Sequence, residues 1–234
     1  MNIALFGYGR MGKMIEQIAL NRNHTIVAKI DVDTTEIDFS KIDVAIDFSL
    51  PNAAFGNITK CIENNIPVIS GTTGWLENYD KAVALCKEKK GAFIYGSNFS
   101  LGVNLFFELN SYLAKMMSNL KEYNVTMEEI HHTKKLDAPS GTAISLAEGV
   151  INNTNYKGWK LDTTDDTTEI PIIAKRIADV PGTHTVAYNS NVDSIEIKHT
   201  AHNREGFALG AVVAAEWIIG KTGVFSMKDV LNIN

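Results

Sequence analysis

Asn2-Ile3-Ala4-Leu5-Phe6-Gly7-Tyr8-Gly9-Arg10-Met11-Gly12 opens the chain and decides how its first half folds. A short apolar strand runs into glycines spaced G-x-G-x-x-G, after which Met11, Met14, Ile15, Ile18 and Ala19 recur at helical spacing. Glycines between a strand and a helix let a ligand approach the backbone closely, and the helix N-terminus favours a negative charge such as a pyrophosphate. Asp31 follows a second strand, Ile26–Ile30, at about the 20-residue distance where a carboxylate accepts hydrogen bonds from ribose hydroxyls. Together these features predict a dinucleotide site built by Gly7, Tyr8, Gly9, Arg10, Met11, Gly12 and Asp31.

Working outward, Val44–Phe48, Pro67–Ser70 and Ala92–Tyr95 read as further strands, with helical spacing at Ala82, Val83, Leu85 and Cys86 between the last two. Strand–helix alternation of this period means parallel βαβ units, so residues 1–98 are expected to form a Rossmann-like parallel sheet domain. Gly71-Thr72-Thr73-Gly74 and Gly96-Ser97-Asn98-Phe99 follow the fourth and fifth strands. Loops at the carboxyl ends of parallel strands are where ligands bind, and Gly71, Thr72, Thr73, Gly96, Ser97, Asn98 and Phe99 are expected to hold the nicotinamide end.

The pattern then changes. A helix around Val103–Met117 is followed by a strand at Asn124–His131, a helix at Ser140–Ile151 and strands at Ile172–Ile177, Thr183–Tyr188 and Asp193–Lys198. Several strands joined by turns predict a second α+β domain, 99–204, with a mixed, largely antiparallel sheet. The polar stretch 152–169 reads as a surface loop. The apolar helix Gly206–Ile219 is expected to return to the first domain, which then comprises 1–98 with 205–234.

The second domain carries the other informative stretch, Glu129-Ile130-His131-His132-Thr133-Lys134-Lys135-Leu136-Asp137-Ala138-Pro139-Ser140-Gly141-Thr142. Two histidines, a nearby lysine and a small-residue helix start put a proton carrier, a cation and an anion-binding N-terminus into one short loop. An acidic substrate that must be protonated needs those parts.

Composition narrows the function classes. The 234 residues are 45% hydrophobic with a formal charge of -5, which argues against a nucleic-acid surface. No apolar run reaches the ~20 residues that span a bilayer. The start opens directly into a strand without a basic leader, so no membrane partner and a cytoplasmic location are expected. Cys61 and Cys86 show no metal spacing and read as buried thiols, and no resident metal is expected.

The chain resembles dihydrodipicolinate reductases over nearly its whole length. The resemblance is carried by Gly9-Arg10-Met11-Gly12, Asp47-Phe48-Ser49, Gly71-Thr72-Thr73-Gly74, Ser97-Asn98-Phe99-Ser100-Leu101-Gly102-Val103-Asn104, the His131-His132 stretch, Asp179-Val180-Pro181-Gly182-Thr183-His184 and 199–215, in that order. It implies reduction of 4-hydroxy-tetrahydrodipicolinate, a cyclic dicarboxylate, to tetrahydrodipicolinate with hydride from NAD(P)H. It also implies His131 as acid/base and Lys135 as proton donor. His132, Ser140, Gly141 and Thr142 become substrate contacts, Phe48 and Ser49 cofactor contacts, and the assembly a homotetramer. Arg204 is a candidate carboxylate clamp, since guanidinium matches carboxylate in a bidentate way. His184, His199 and His202 are open between the cleft and a structural role.

The resemblance departs from the family pattern where the cofactor is chosen. Val32 follows the ribose acid and Leu50 follows Asp47-Phe48-Ser49, positions where the family often carries arginine. Asp31 repels a 2′-phosphate, so NADH is expected as the preferred cofactor. NADPH stays open as a second one through Arg10 and Lys13. Two alternatives stand beside this reading: another two-domain dehydrogenase acting on an amino-acid-like carboxylate, and a non-catalytic NADH sensor.

Overall fold

The computed structural model describes residues 1–31 and 36–233, so Val32 lies outside the described residues. The chain begins β1 (Asn2–Phe6), α1 (Arg10–Asn21), β2 (Thr25–Ile30), β3 (Val44–Asp47), α2 (Pro51–Glu63), β4 (Val68–Ser70), α3 (Tyr79–Lys89) and β5 (Ala92–Tyr95). It continues α4 (Leu101–Met117), β6 (Asn124–His131), α5 (Gly141–Ile151), β7 (Gly158–Leu161), β8 (Glu169–Arg176), β9 (Gly182–Asn189) and β10 (Ser194–Ala201). Last come α6 (Glu205–Ile218), β11 (Gly223–Phe225) and α7 (Met227–Leu231). Two compact units result: Met1–Leu101 with Glu205–Asn234, and Gly102–Arg204.

The first unit is a parallel six-stranded sheet in the order β11-β5-β4-β3-β1-β2. Its central strands are buried on both faces, as β3 and β4 show throughout their length, because helices cover each side. On one face α1 and α6 pack Ile15, Ala19, Ala211, Val212 and Ala215 against Ile3, Leu5 and Ile46. On the other, α2 and α3 pack Ile58, Cys61, Ile62 and Cys86 against Phe6, Val68 and Phe93. The α6 return thus completes a sheet covered on both sides. Strand β11 and α7 extend this unit beyond the elements expected from the sequence. Three residues with glycine at the first give too short an apolar run to register alone.

The second unit holds a five-stranded sheet in the order β10-β9-β6-β8-β7. Helices α4 and α5 cover one face, where Phe106, Leu113, Leu146 and Val150 meet Val125, Met127, Ile172 and Val186. The sheet is mixed: β6 pairs antiparallel with β9 and parallel with β8, and β7 pairs parallel with β8.

The strands on either side of the 179–182 turn are not neighbours in the sheet, because β6 lies between β8 and β9. One expectation is corrected here. The stretch 152–169 is not only loop, since Gly158–Leu161 forms edge strand β7, with Trp159 packed on the core. An edge strand pairs on one side only, so its residues need little of the alternation by which strands are recognised.

Candidate active site

In the first unit the glycine turn sits at the carboxyl end of β1. Gly7 donates to the Ile30 carbonyl at 2.8 Å and has φ +86°, and a Cβ there would lie 2.3 Å from the Phe48 carbonyl oxygen. Gly9 is different: a Cβ built on it meets nothing within 4 Å, so the chain's own packing does not require this glycine. An approaching phosphate would, since a side chain here would bar it from the backbone. Gly9 is also the N-cap of α1 and supplies no side-chain cap, leaving the first-turn N–H groups of the helix for a ligand.

The turn opens onto a cleft of about 520 Å³ that Tyr8, Asp31, Phe48, Ser49 and Leu50 also line. Lys60, from the last turn of α2, lines the same cleft. Motif reading counted only Arg10 and Lys13 as nearby cations and missed it, because a helix brings Lys60 to the cleft from outside any glycine or strand-end motif. Arg10 is exposed, whereas the Met11 side chain packs into the core and leaves only its backbone for a ligand. The Tyr8 hydroxyl donates to Glu16 and accepts from Lys29 at 3.0 Å.

The loops after β3 and β4 are joined beneath the cleft by Asp47, which is fully buried. Its carboxylate accepts from Ser49 Oγ at 2.6 Å, Asn57 Nδ2 at 3.0 Å and Ser70 Oγ at 2.9 Å. Burial raises the Asp47 carboxyl above the ordinary range, and these donors oppose the shift. Thr72 Oγ1 donates to the same carboxylate at 2.7 Å, so the hydroxyls of Ser49 and Thr72 are both occupied inside the protein. Gly71 donates its N–H to the Asp47 carbonyl at 2.9 Å, and Thr73 is exposed. After β5, Gly96 donates to the Ser70 carbonyl at 3.1 Å, Ser97 is exposed and Asn98 Oδ1 accepts from the Ser100 N–H at 2.9 Å. The Phe99 side chain is buried against Phe48 at 5.8 Å between ring centroids.

In the second unit, the two-residue period of β6 puts Glu129 and His131 on the buried face. The antiparallel register sets His184 of β9 opposite Glu129. Glu129 Oε2 stands 3.6 Å from His131 Nδ1 and 3.7 Å from His184 Nε2, and the two imidazoles meet edge-on at 5.0 Å. Ser140 caps α5: its Oγ accepts from the Ala143 N–H at 3.2 Å and lies 3.1 Å from His184 Nε2, while its own N–H donates to Glu129 at 3.0 Å. The first helical bond runs from Ile144 to the Ser140 carbonyl, so the N–H groups of Gly141 and Thr142 have no acceptor within the helix. A Cβ on Gly141 would meet nothing within 4 Å, which leaves that N–H approachable.

Arg176 organises this cluster. Its guanidinium reaches Glu129 Oε1 at 3.3 and 3.4 Å and donates to the Asp137 carbonyl at 2.7 Å, tying the 132–139 loop to the sheet. On that loop Lys135 Nζ donates to both Asp137 carboxylate oxygens, at 2.7 and 2.8 Å. This hydrogen bond holds the Asp137 carboxyl below its usual range. Burial holds His131 below the ordinary imidazole range, opposed by Glu129 and reinforced by Lys135 and Arg176. His184, more deeply buried and beside His131, is pushed down to about 3.

The fold thus brings together His131, Ser140 and the start of α5, with Lys135 on the tethered loop and half-buried His132 beginning it. Arg204 is exposed in the turn between β10 and α6, and none of the ion pairs around Glu129 includes it. Sequence reasoning assigned no role to Glu129, Arg176 or Asp137, and left His184 open between the cleft and a structural role. The i,i+2 spacing of Glu129 and His131 on one strand was a signal available for the first of them.

The dihydrodipicolinate reductase N-terminus profile matches residues 1–99 and the C-terminus profile residues 102–231. A 4-hydroxy-tetrahydrodipicolinate reductase of Christiangramia forsetii is 62% identical over 99% of this chain and 98% of its own length. One from Archaeoglobus fulgidus is 35% identical over 99% of this chain and its full length, 100%. Among solved structures, dipicolinate-bound dihydrodipicolinate reductase from Paenisporosarcina sp. TG-14 superposes with a TM-score of 0.82 at 22% identity, covering 100% of this chain and 99% of that one.

Proposed function

The chain belongs to the dihydrodipicolinate reductase family, and from that premise we propose how its residues divide the work of the reaction. It reduces 4-hydroxy-tetrahydrodipicolinate to tetrahydrodipicolinate, in lysine biosynthesis through diaminopimelate, and its first unit is a nicotinamide-nucleotide fold. The open space at Gly9 and the uncapped α1 N-terminus fit such a cofactor. When bound, the nicotinamide supplies the hydride.

In the first unit, Gly7, Gly9 and the backbone of residues 10–12 receive the pyrophosphate, and Asp31 receives the adenosine ribose. Asp31 opposes a 2′-phosphate, which makes NADH the preferred cofactor, while Lys60, Arg10 and Lys13 let NADPH serve as well. Thr72 and Ser49 position the cleft wall through Asp47, and Gly71, Thr73 and Gly96-Ser97-Asn98 offer the nicotinamide their backbone. In the second unit, the N–H groups of Gly141 and Thr142 and the Thr142 hydroxyl take one substrate carboxylate, with His132 beside it and Arg204 for the other. His131 handles the proton as acid/base. Lys135 delivers one after leaving Asp137, because a lysine held by a single exposed carboxylate is released at little cost.

The observation that carries this reading is the burial of His131 beside Glu129 and next to the N-terminus of α5. There an imidazole and an anion-binding backbone meet in one place. The homotetramer is proposed on the family resemblance. No helix among the described residues is long and apolar enough to cross a membrane, and we assign the enzyme to the cytoplasm. The test is an assay on freshly made dihydrodipicolinate synthase product, following NADH and NADPH oxidation in parallel. Turnover with wild-type enzyme and its loss in His131→Gln are expected; full turnover in that variant overturns the assignment.

A further inference from the structure

We propose that Glu129, His131 and His184 form a binding site for one divalent transition metal ion of the zinc or cobalt type. The register that builds the cluster also builds the donor set. One ligand atom from each of Glu129, His131 and His184 lies within 4.8 Å of the other two, and Glu129 Oε2 stands 3.6 Å from His131 Nδ1 and 3.7 Å from His184 Nε2. With metal–ligand bonds of about 2.0–2.1 Å, tetrahedral geometry asks for donors roughly 3.3–3.4 Å apart. Side-chain movements of a few tenths of an ångström close that difference on both measured edges.

A second observation points to a ligand. The His131 side chain is only 9% exposed, and its Nδ1, the atom facing Glu129, is buried without a hydrogen-bond partner. A buried polar atom left so keeps its desolvation cost, which a bound metal ion would remove. Burial also favours neutral imidazoles at both histidines, the form that ligates. Glu129 is already oriented, with Arg176 on Oε1 and the Ser140 N–H on Oε2, as metal-binding carboxylates are by their outer partners. His184 would exchange its contact with Ser140 Oγ for the metal. Two imidazoles and one carboxylate suit zinc, cobalt, nickel or copper, and not magnesium or calcium, which take oxygen ligands. The charges of Arg176 and Lys135 oppose a dication, and Asp137 offsets that of Lys135, so binding is reversible.

A metal on His131 Nδ1 also keeps that imidazole from taking up a second proton, so it can no longer act as the imidazolium acid. This consequence for turnover, unlike the site itself, rests on the role proposed for His131 above. The experiment titrates Co²⁺ into chelator-treated enzyme and reads the visible absorption of four-coordinate cobalt alongside turnover. One ion per chain is expected, displaced by Zn²⁺ and not by Mg²⁺, with affinity reduced at least about tenfold in His184→Ala and in Glu129→Gln. Should either variant misfold, the histidine ring resonances of the wild-type protein decide: Zn²⁺ must shift those of His131 and His184. Unchanged binding in a folded His184→Ala, no cobalt spectrum, or zinc shifts confined to His132, His199 and His202 overturns the site. A cobalt spectrum without inhibition keeps the site and overturns the catalytic role of His131.

Discussion

The hydroxyl of Thr72 donates to the buried carboxylate of Asp47 at 2.7 Å and accepts the backbone N–H of Ser49 at 2.8 Å, so one side chain ties together the loops that follow two neighbouring strands. The loop after β3 lines the cleft through Phe48, Ser49 and Leu50, and Asp47 anchors both loops.

Asp47→Ala would leave the side chains of Ser49, Asn57, Ser70 and Thr72 without their shared acceptor. A loss of about 2–4 kcal/mol is expected, together with weaker NADH binding, since buried donors left unpaired retain their desolvation cost. Asp47→Asn keeps an acceptor oxygen and should lose less. Urea unfolding followed by nucleotide titration measures both; an alanine variant as stable as wild type would contradict the anchoring role.

His131→Gln and Lys135→Gln should each lower kcat by roughly 10²-fold or more, the usual contribution of a general acid or base, with a smaller change in KM. Thr142→Val should instead raise KM for the dicarboxylate and leave NADH affinity unchanged. Steady-state kinetics of the three variants separates proton transfer from carboxylate binding. Near-wild-type kcat in both glutamine variants removes the assignment.

Wild-type kcat/KM should favour NADH by about tenfold or more, at 1.4 kcal/mol per decade. Asp31→Ser should improve NADPH turnover selectively. Lys60→Ala should have the opposite effect, lowering kcat/KM for NADPH more than for NADH, because Lys60 lines the cleft that holds Asp31. A wild-type preference for NADPH defeats this reading of Asp31.

Glu216 on α6 meets Arg22 in a two-pronged contact at 2.7 and 2.8 Å and His24 at 2.7 Å. The Arg22 guanidinium holds the Glu216 carboxyl below its usual range. A carboxylate whose folded pKa is depressed stabilises the protein above the unfolded value, near ~4.3, and that contribution disappears as the pH falls through the folded value. Glu216→Gln should therefore lower Tm at about pH 6–7, and the gap from wild type should narrow below about pH 4. A gap constant across that range would show that the charge of Glu216 plays no part.

Local patterns along the chain were sufficient for much of the fold. The strand–glycine–helix opening, the alternating strands to Tyr95 and the apolar α6 each declare themselves within a few residues, because helix and strand periods and glycine turns are local properties. The change of pattern after Phe99 likewise marked a second kind of sheet. What the local pattern did not contain was pairing. Whether β8 lies beside β9 or beside β6 depends on which strand edges meet after the helices have covered a face, and β7 is a strand only because β8 offers it an edge. The same division runs through the candidate site. His131, Lys135 and the small-residue start of α5 stand in one legible stretch, whereas the partners of Glu129 come from elsewhere in the chain. Arg176 approaches along parallel β8 and His184 along antiparallel β9. Cross-strand register is a long-range property, so the residues that set the charge and orientation of His131 became identifiable only once the strands were paired.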